Sequence, residues 1–466
     1  MSFLSKLFSS HPKVITRFAP SPTGLLHAGN YRTAVFAYIY AKQNKGTCIL
    51  RIEDTDRERS KKEYEQNIFE SLAWLGLSFD ETYRQSERGA LYKQYLEKLV
   101  SGGHAYVSKE QAPDDKEPAT HQKERRAEVI RFKNPNKKVL FHDLIRGDIE
   151  FDTTDLGDFI IAKSFDEPVF HFAVVLDDFL SKVTHVIRGE DHISNTPRQI
   201  LIQQALGAPQ PTYAHLPLVL AGDRSKLSKR RGALAMTEYR DRGYLPQTLL
   251  NYMALLGWNP GTEKELFTLP ELVAEFNLAK VQKGGAIFDE KKLRWLNKEH
   301  LKVMSAEDRI KNLEEKLKKA GGFEAINTDM LKKIVPVVFE RLETLADIDT
   351  LIKEGDFGYY IQAPVLEAEK LLWKDEKDFS ITQKHLTEVQ KLLTAGSFSS
   401  EDEVKKAVWA YAEASGRGNV LWPLRVALSG KEKSPNPFAL AYILGKEETL
   451  KRINHAITRI DLQKNK

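Results

Sequence analysis

Apolar and polar positions through the first half of the chain alternate between short apolar runs and longer helical repeats. Residues 14–18 form a β-branched run, a Pro/Gly-rich turn occupies 20–24, and a helical stretch follows over 30–43, where Tyr31, Val35 and Tyr38 share a face. Residues 47–52 read as a buried strand. Strand, crossover helix and strand in so short a span make a βαβ unit, which implies a parallel sheet. Tyr64, Ile68, Leu72 and Leu75 mark a helix over 61–75; Leu91, Tyr95 and Leu99 mark another over 91–100, closed by Gly102 and Gly103. Residues 108–138 are polar and charged, and read as an insertion. Strands are expected to resume at Val139, with others at 183–188 and 213–220 and a helix over 196–206 opened by a Thr196 cap and Pro197.

Beyond Gly232 the pattern turns helical: 247–256, 271–276, 309–320, 330–345, 381–393 and 401–414, with loops at 257–261 and 429–437. The fold expected is a split Rossmann-like α/β domain with an inserted subdomain, followed by all-α domains. The expected segments are a flexible extension (1–13), the first catalytic half (14–107), an insertion (108–180), the second half (181–231), and helical domains at 232–310 and 311–466.

Composition narrows the class. The 466 residues suffice for about three cores. Seventy Lys+Arg against sixty-five Asp+Glu leave +5, which permits a polyanionic partner without requiring one. No apolar run is long enough to cross a bilayer, so no membrane role is expected. The single cysteine, Cys48, excludes a disulfide framework and any zinc site built on two thiolates.

Two clusters carry candidate chemistry. Arg17-Phe18-Ala19-Pro20-Ser21-Pro22-Thr23-Gly24 leads into His27-Ala28-Gly29-Asn30 at a helix start, where free N–H groups and the macrodipole attract anions and glycine allows close approach. The basic run 226–231, Lys-Leu-Ser-Lys-Arg-Arg, can clamp a polyphosphate and neutralise a leaving pyrophosphate. Alone, each is weak: a helix start is more often structural, and a basic run is more often a solvated loop. In this order they resemble the two signatures of class I aminoacyl-tRNA synthetases. Arg51-Ile52-Glu53-Asp54-Thr55-Asp56, Arg188-Gly189-Glu190-Asp191-His192, residues 288–297 and residues 422–428 extend the likeness to glutamyl-tRNA synthetases of the bacterial type, over nearly the whole chain from Val14.

That resemblance implies ATP-dependent ligation of L-glutamate to tRNA(Glu), with tRNA(Gln) open as a second acceptor, by a cytoplasmic monomer using Mg²⁺ and no zinc. His27, Lys226, Ser228 and Lys229 become the expected catalytic residues. Ser21, Gly24, His27, Gly29, Asn30 and Lys229 are expected to hold ATP. Arg17, Ala19, Ser21, Glu53, Phe170, His171 and Arg188 are expected to hold glutamate: guanidinium forks suit its carboxylates and Glu53 its ammonium. Arg417, Arg425 and Ser434 are candidates for tRNA contact. Three positions depart from the family pattern. Asn30 stands in place of a second histidine; Phe170 stands in place of tyrosine, with His171 as a substitute contact; and the 105–109 segment lacks the cysteines of a zinc knuckle.

Overall fold

The structure, a computed structural model, describes residues 13–109, 128–227, 234–374 and 376–464. It divides into two compact units, Met1–Leu296 and Asn297–Lys466. The first begins with β1 (Ile15–Phe18), α1 (Ala28–Gln43), β2 (Thr47–Ile52), α2 (Lys62–Trp74), β3 (Glu81–Arg84) and α3 (Gly89–Ser101). The three strands pair in parallel in the order β1-β2-β3, so the expected βαβ unit is present. Every residue of β2 is buried and α1 is buried on most of its surface, as required of elements sandwiched inside an α/β domain.

Next come β4 (Ala105–Lys109), β5 (Glu128–Phe132), β6 (Lys138–Asp143), β7 (Gly147–Asp152), β8 (Phe159–Ser164) and β9 (Glu167–Pro168). Strands therefore resume at Glu128, ahead of Val139. The flanking charges hide an apolar core in Glu128–Phe132, where Val129, Ile130 and Phe132 are buried. An antiparallel sheet forms in the order β4-β5-β8-β9, while the β6-β7 hairpin leaves it to join the main sheet.

The chain then re-enters the parallel sheet through α4 (Phe170–Leu180), β10 (His185–Gly189), α5 (Thr196–Leu206) and β11 (Thr212–Leu216). Thr184 seats β10 beside β1: its N–H donates to the Ile15 carbonyl at 2.9 Å, and its Oγ accepts from the Ile15 N–H at 2.8 Å. β11 pairs in parallel with β10, and meets β6 where Tyr213 faces Asp143. The result is a split α/β domain with its insertion in the middle. The single strand expected over 213–220 is broken at Pro217, which has no N–H for a ladder, and β12 (Val219–Leu220) pairs instead with β13 (Ala286–Ile287). Thr196 lies inside α5 and not at its cap; Asn195 precedes the helix without a side-chain capping bond.

The second unit is helical, with Ala306–Ala320, Thr328–Phe339, Phe379–Ala395, Glu401–Ser415, Arg417–Ser429, Pro437–Leu444 and Lys446–Lys464 as its larger helices. The helix expected over 330–345 stops at Phe339, and beyond it Asp347 Oδ2 accepts from the N–H groups of Glu343 and Thr344. Among the described residues no helix is long and apolar enough to cross a membrane.

Candidate active site

A cavity of about 520 Å³ opens at the carboxyl ends of β1, β2 and β10, where ligands bind in open α/β sheets. Its lining includes Arg17, Ala19, Ser21, Gly24, His27, Gly29, Asn30, Glu53, Phe170, Arg188 and Lys226. Those residues lie far apart in sequence, and strand ends and helix starts bring them together. His171 is not in the lining: its Nδ1 is buried with no hydrogen-bond partner among the described residues, and burial followed by the charges of Arg198 and Arg188 holds its pKa down to about 4. Ser228 and Lys229 lie outside the described residues.

The start of α1 explains the His-x-Gly-Asn spacing. His27 is the cap: its Nδ1 accepts from the Gly29 N–H at 3.1 Å, and Asn30 Oδ1 accepts from the His27 N–H at 3.1 Å, a reciprocal capping box. Asn30 thus performs a structural task that needs no imidazole. Because Nδ1 accepts, the neutral ring carries its proton on Nε2, which is a donor. A Cβ at position 29 would sit 3.0 Å from His27 Cε1, so glycine lets the ring fold back over the helix end.

Behind the cavity lies a buried charge network. Arg51, with no exposed surface, donates to Asp178 Oδ1 at 2.6 Å and to Glu53 Oε1 at 3.0 Å, and Arg17 Nε meets Asp178 Oδ1 at 3.3 Å. Burial works to raise the pKa of Asp178, yet Arg17 and Arg51 outweigh it and keep the carboxylate charged. At Glu53 burial prevails over Arg51 and Arg17, and the pKa is raised. Arg188 differs from the other two cations. Its guanidinium meets Gln199 Oε1 at 2.8 Å, Thr196 Oγ at 2.8 Å and His215 Nε2 at 3.1 Å, all neutral, and burial followed by repulsion from Arg17 lowers its pKa to about 10. Among the described residues it has no acidic partner within salt-bridge distance. The site therefore holds a buried cation in want of an anion.

The Arg-Gly-Glu-Asp-His run after β10 divides its labour. Glu190 accepts from the Leu218 N–H at 2.7 Å and pairs with Arg146, while Asp191 Oδ2 meets Lys226 Nζ at 2.9 Å and tethers the near end of the basic run. The Phe170 ring lies against His192, centroids 5.9 Å apart. Asp178, Asp143, Gln199 and His215 were not singled out by sequence reasoning, and Arg51 and Thr196 entered it only as part of a motif and as a helix cap; the visible signal was the acidic pair Asp177-Asp178 inside the otherwise apolar stretch Phe170–Leu180.

The tRNA candidates all lie in the second unit. Arg417 pairs with Glu413 at 2.6 Å and lies 4.7 Å from the Trp409 ring centroid. Arg425 Nε is buried with no hydrogen-bond partner among the described residues, and Ser434 Oγ is 3.2 Å from Ser429 Oγ.

Residues 13–124 and 109–295 match the family described as tRNA synthetases class I (E and Q), catalytic domain, and residues 296–457 match an anticodon binding domain. The glutamate–tRNA ligase of Aquifex aeolicus is 39% identical over 480 residues, covering 96% of this chain and 99% of that protein. That of Carboxydothermus hydrogenoformans is 39% identical over 479 residues, covering 94% and 99%. A crystal structure of a glutamate tRNA ligase from Elizabethkingia meningosepticum, in complex with its amino acid, superposes with a TM-score of 0.82 at 33% identity, covering 96% of this chain and all (100%) of that one. The fold and the sequence likeness agree along the chain, and the chain is a member of the glutamate–tRNA ligase family of class I tRNA synthetases.

Proposed function

We propose that this chain ligates L-glutamate to the 3′ end of tRNA(Glu) in two ATP-dependent steps. In the first, the α-carboxylate of glutamate attacks the α-phosphorus of ATP and pyrophosphate leaves. In the second, a ribose hydroxyl of the terminal adenosine attacks the mixed anhydride and AMP leaves. Both nucleophiles come from substrates, so the protein contributes position and charge. The observation that carries this reading is the buried Arg188, held by neutral partners within the same cavity as Arg17 and Glu53.

Arg188 and Arg17 take the side-chain carboxylate, with Ser21 and the Ala19 backbone alongside, and Glu53 accepts the ammonium, whose charge favours the ionised acid that burial alone disfavours. A neutral amide cannot compensate two guanidiniums, which selects glutamate over glutamine. His27 Nε2 donates to a phosphate oxygen at the start of α1, where Gly24, Gly29 and Asn30 shape the seat. Mg²⁺ enters with the triphosphate and shares its charge. Lys229 reaches the departing pyrophosphate, with Lys226 and Ser228 setting the loop.

The second unit, Asn297–Lys466, reads the anticodon, with Arg417, Arg425 and Ser434 as contacts, and the segment divisions at 107/108, 180/181 and 231/232 mark the functional modules of the first. The enzyme acts as a cytoplasmic monomer. The direct test is charging of purified tRNA(Glu) and tRNA(Gln) with labelled glutamate. Label on tRNA(Glu) that depends on ATP is expected, label on both tRNAs would show relaxed acceptor choice, and none on either would overturn the reading. Lys229→Ala should cut tRNA-supported pyrophosphate exchange by orders of magnitude and leave tRNA binding nearly unchanged.

A further inference from the structure

Arg188 is placed by a chain of bonds that begins in the inserted hairpin. Asp143, at the end of β6, has no exposed surface and uses both carboxylate oxygens. Its Oδ1 accepts from the N–H groups of Ile145 at 2.9 Å and Arg146 at 2.8 Å, and its Oδ2 accepts from the backbone N–H of His215 at 3.0 Å and from His215 Nδ1 at 2.7 Å. Burial works to raise the pKa of Asp143, yet the bonds from His215, Arg146 N–H and Ile145 N–H outweigh it and keep the carboxylate charged, and it dictates the tautomer of His215, with the proton on Nδ1 and a lone pair on Nε2. That lone pair faces Arg188 Nε at 3.1 Å, with Thr196 Oγ 3.2 Å away. The other tautomer would set an N–H against an N–H.

We infer that Asp143 and His215 are positioning residues for glutamate recognition, fixing the Arg188 guanidinium through a carboxylate–imidazole–guanidinium relay that makes the amino-acid pocket depend on the seating of the β6-β7 hairpin. Two features support more than a structural filler. First, both side chains are fully buried, and while Asp143 Oδ1 caps its own turn, its Oδ2 and the His215 ring connect that turn to the cation. Second, the other Arg188 partners among the described residues, Gln199 and Thr196 on α5 and the His192 carbonyl ahead of it, bind only its Nη atoms, so among these residues His215 is the one that holds Nε and sets the plane of the fork. The hairpin is gripped at the same place: the Leu144 N–H donates to the Tyr213 carbonyl at 2.9 Å, and Arg146 Nη1 to the Lys283 carbonyl at 2.7 Å.

The inference rests on Arg188 binding glutamate, and the experiment separates the two. KM values for glutamate, ATP and tRNA, together with kcat, are measured in aminoacylation for His215→Asn, His215→Gln, Asp143→Asn and Arg188→Ala, with melting temperatures for each. His215→Asn keeps a donor for Asp143 and removes the acceptor facing Arg188. It should raise the glutamate KM about ten- to hundredfold, the size expected for losing a hydrogen bond to a charged group, with ATP and tRNA KM values within about twofold. His215→Gln, which can place an oxygen near the lost Nε2, should recover part of that loss. Asp143→Asn, which permits the opposing tautomer, should follow His215→Asn. An unchanged glutamate KM in His215→Asn, or equal loss for all three substrates with a fallen melting temperature, would overturn the inference. If Arg188→Ala itself leaves the glutamate KM unchanged, the glutamate-site reading falls first. Should the variants not fold, ¹⁵N shifts of His215 in the wild-type enzyme decide: a proton on Nδ1 supports the relay, and one on Nε2 refutes it.

Discussion

Arg51 takes no part in lining the cavity, yet it grips Glu53, which does line it, and Asp178 behind it. Removing one partner of a buried ionic cluster strands the others, at a cost of about 3–5 kcal/mol. Arg51→Ala should therefore lose that much stability in urea titration and carry a raised glutamate KM, since Glu53 and Asp178 would lose their shared anchor. Phe170 offers a gain-of-contact test: Phe170→Tyr should lower the glutamate KM if its ring edge faces the substrate, and an unchanged KM would show that the missing hydroxyl contributes nothing. Arg17, Glu53 and Arg188 could be singled out from sequence because each sits in a distinctive local run. Asp178 and His215 could not. They lie 161 and 27 positions from the arginines they hold, and an acid or imidazole inside an apolar run reads as an oddity until the sheet brings its partner alongside.

Elements with a regular apolar pattern were visible in the sequence, and β2 is the clearest case, because the short apolar core Cys48-Ile49-Leu50 with Ile52 reads as a strand buried on both sides, although the pattern hid that Arg51 is buried with them. β5 was obscured by the charges on either side of its core, and β12 by the apolar run that continues through Pro217. The turn between α1 and β2 shows how tightly these elements meet. A Cβ added at Gly46 would lie 2.1 Å from the carbonyl oxygen of Val14, which already accepts from the Thr47 N–H at 2.8 Å. Backbone cannot rotate away as a side chain can. Gly46→Ala should destabilise the first unit by about 1–3 kcal/mol, read as a drop in the denaturant midpoint. It should also weaken activity through displacement of β1, whose strand carries Arg17.

Across the whole molecule, burial leaves several histidines neutral. His192 is held down to about 4 by burial and then by Arg188, His171 to about 4 by burial and then by Arg198, and His300 to about 4 by burial. In the unfolded chain the same groups titrate near 6.5. Below that value the unfolded state takes up protons that the folded state refuses, so stability is full above pH 6.5 and declines as pH falls towards 4. The melting temperature should drop between pH 6.5 and 5; a flat profile there would contradict these burial effects. The contact between β1 and Thr184 has another consequence, in the order of synthesis. Ile15 and Thr184 are 169 residues apart, and at about 5–20 residues per second the ribosome needs roughly ten to thirty seconds to deliver the second after the first. Through that interval β1 is an open parallel edge, so the amino-terminal strand waits exposed to foreign pairing until the far half of its own sheet emerges.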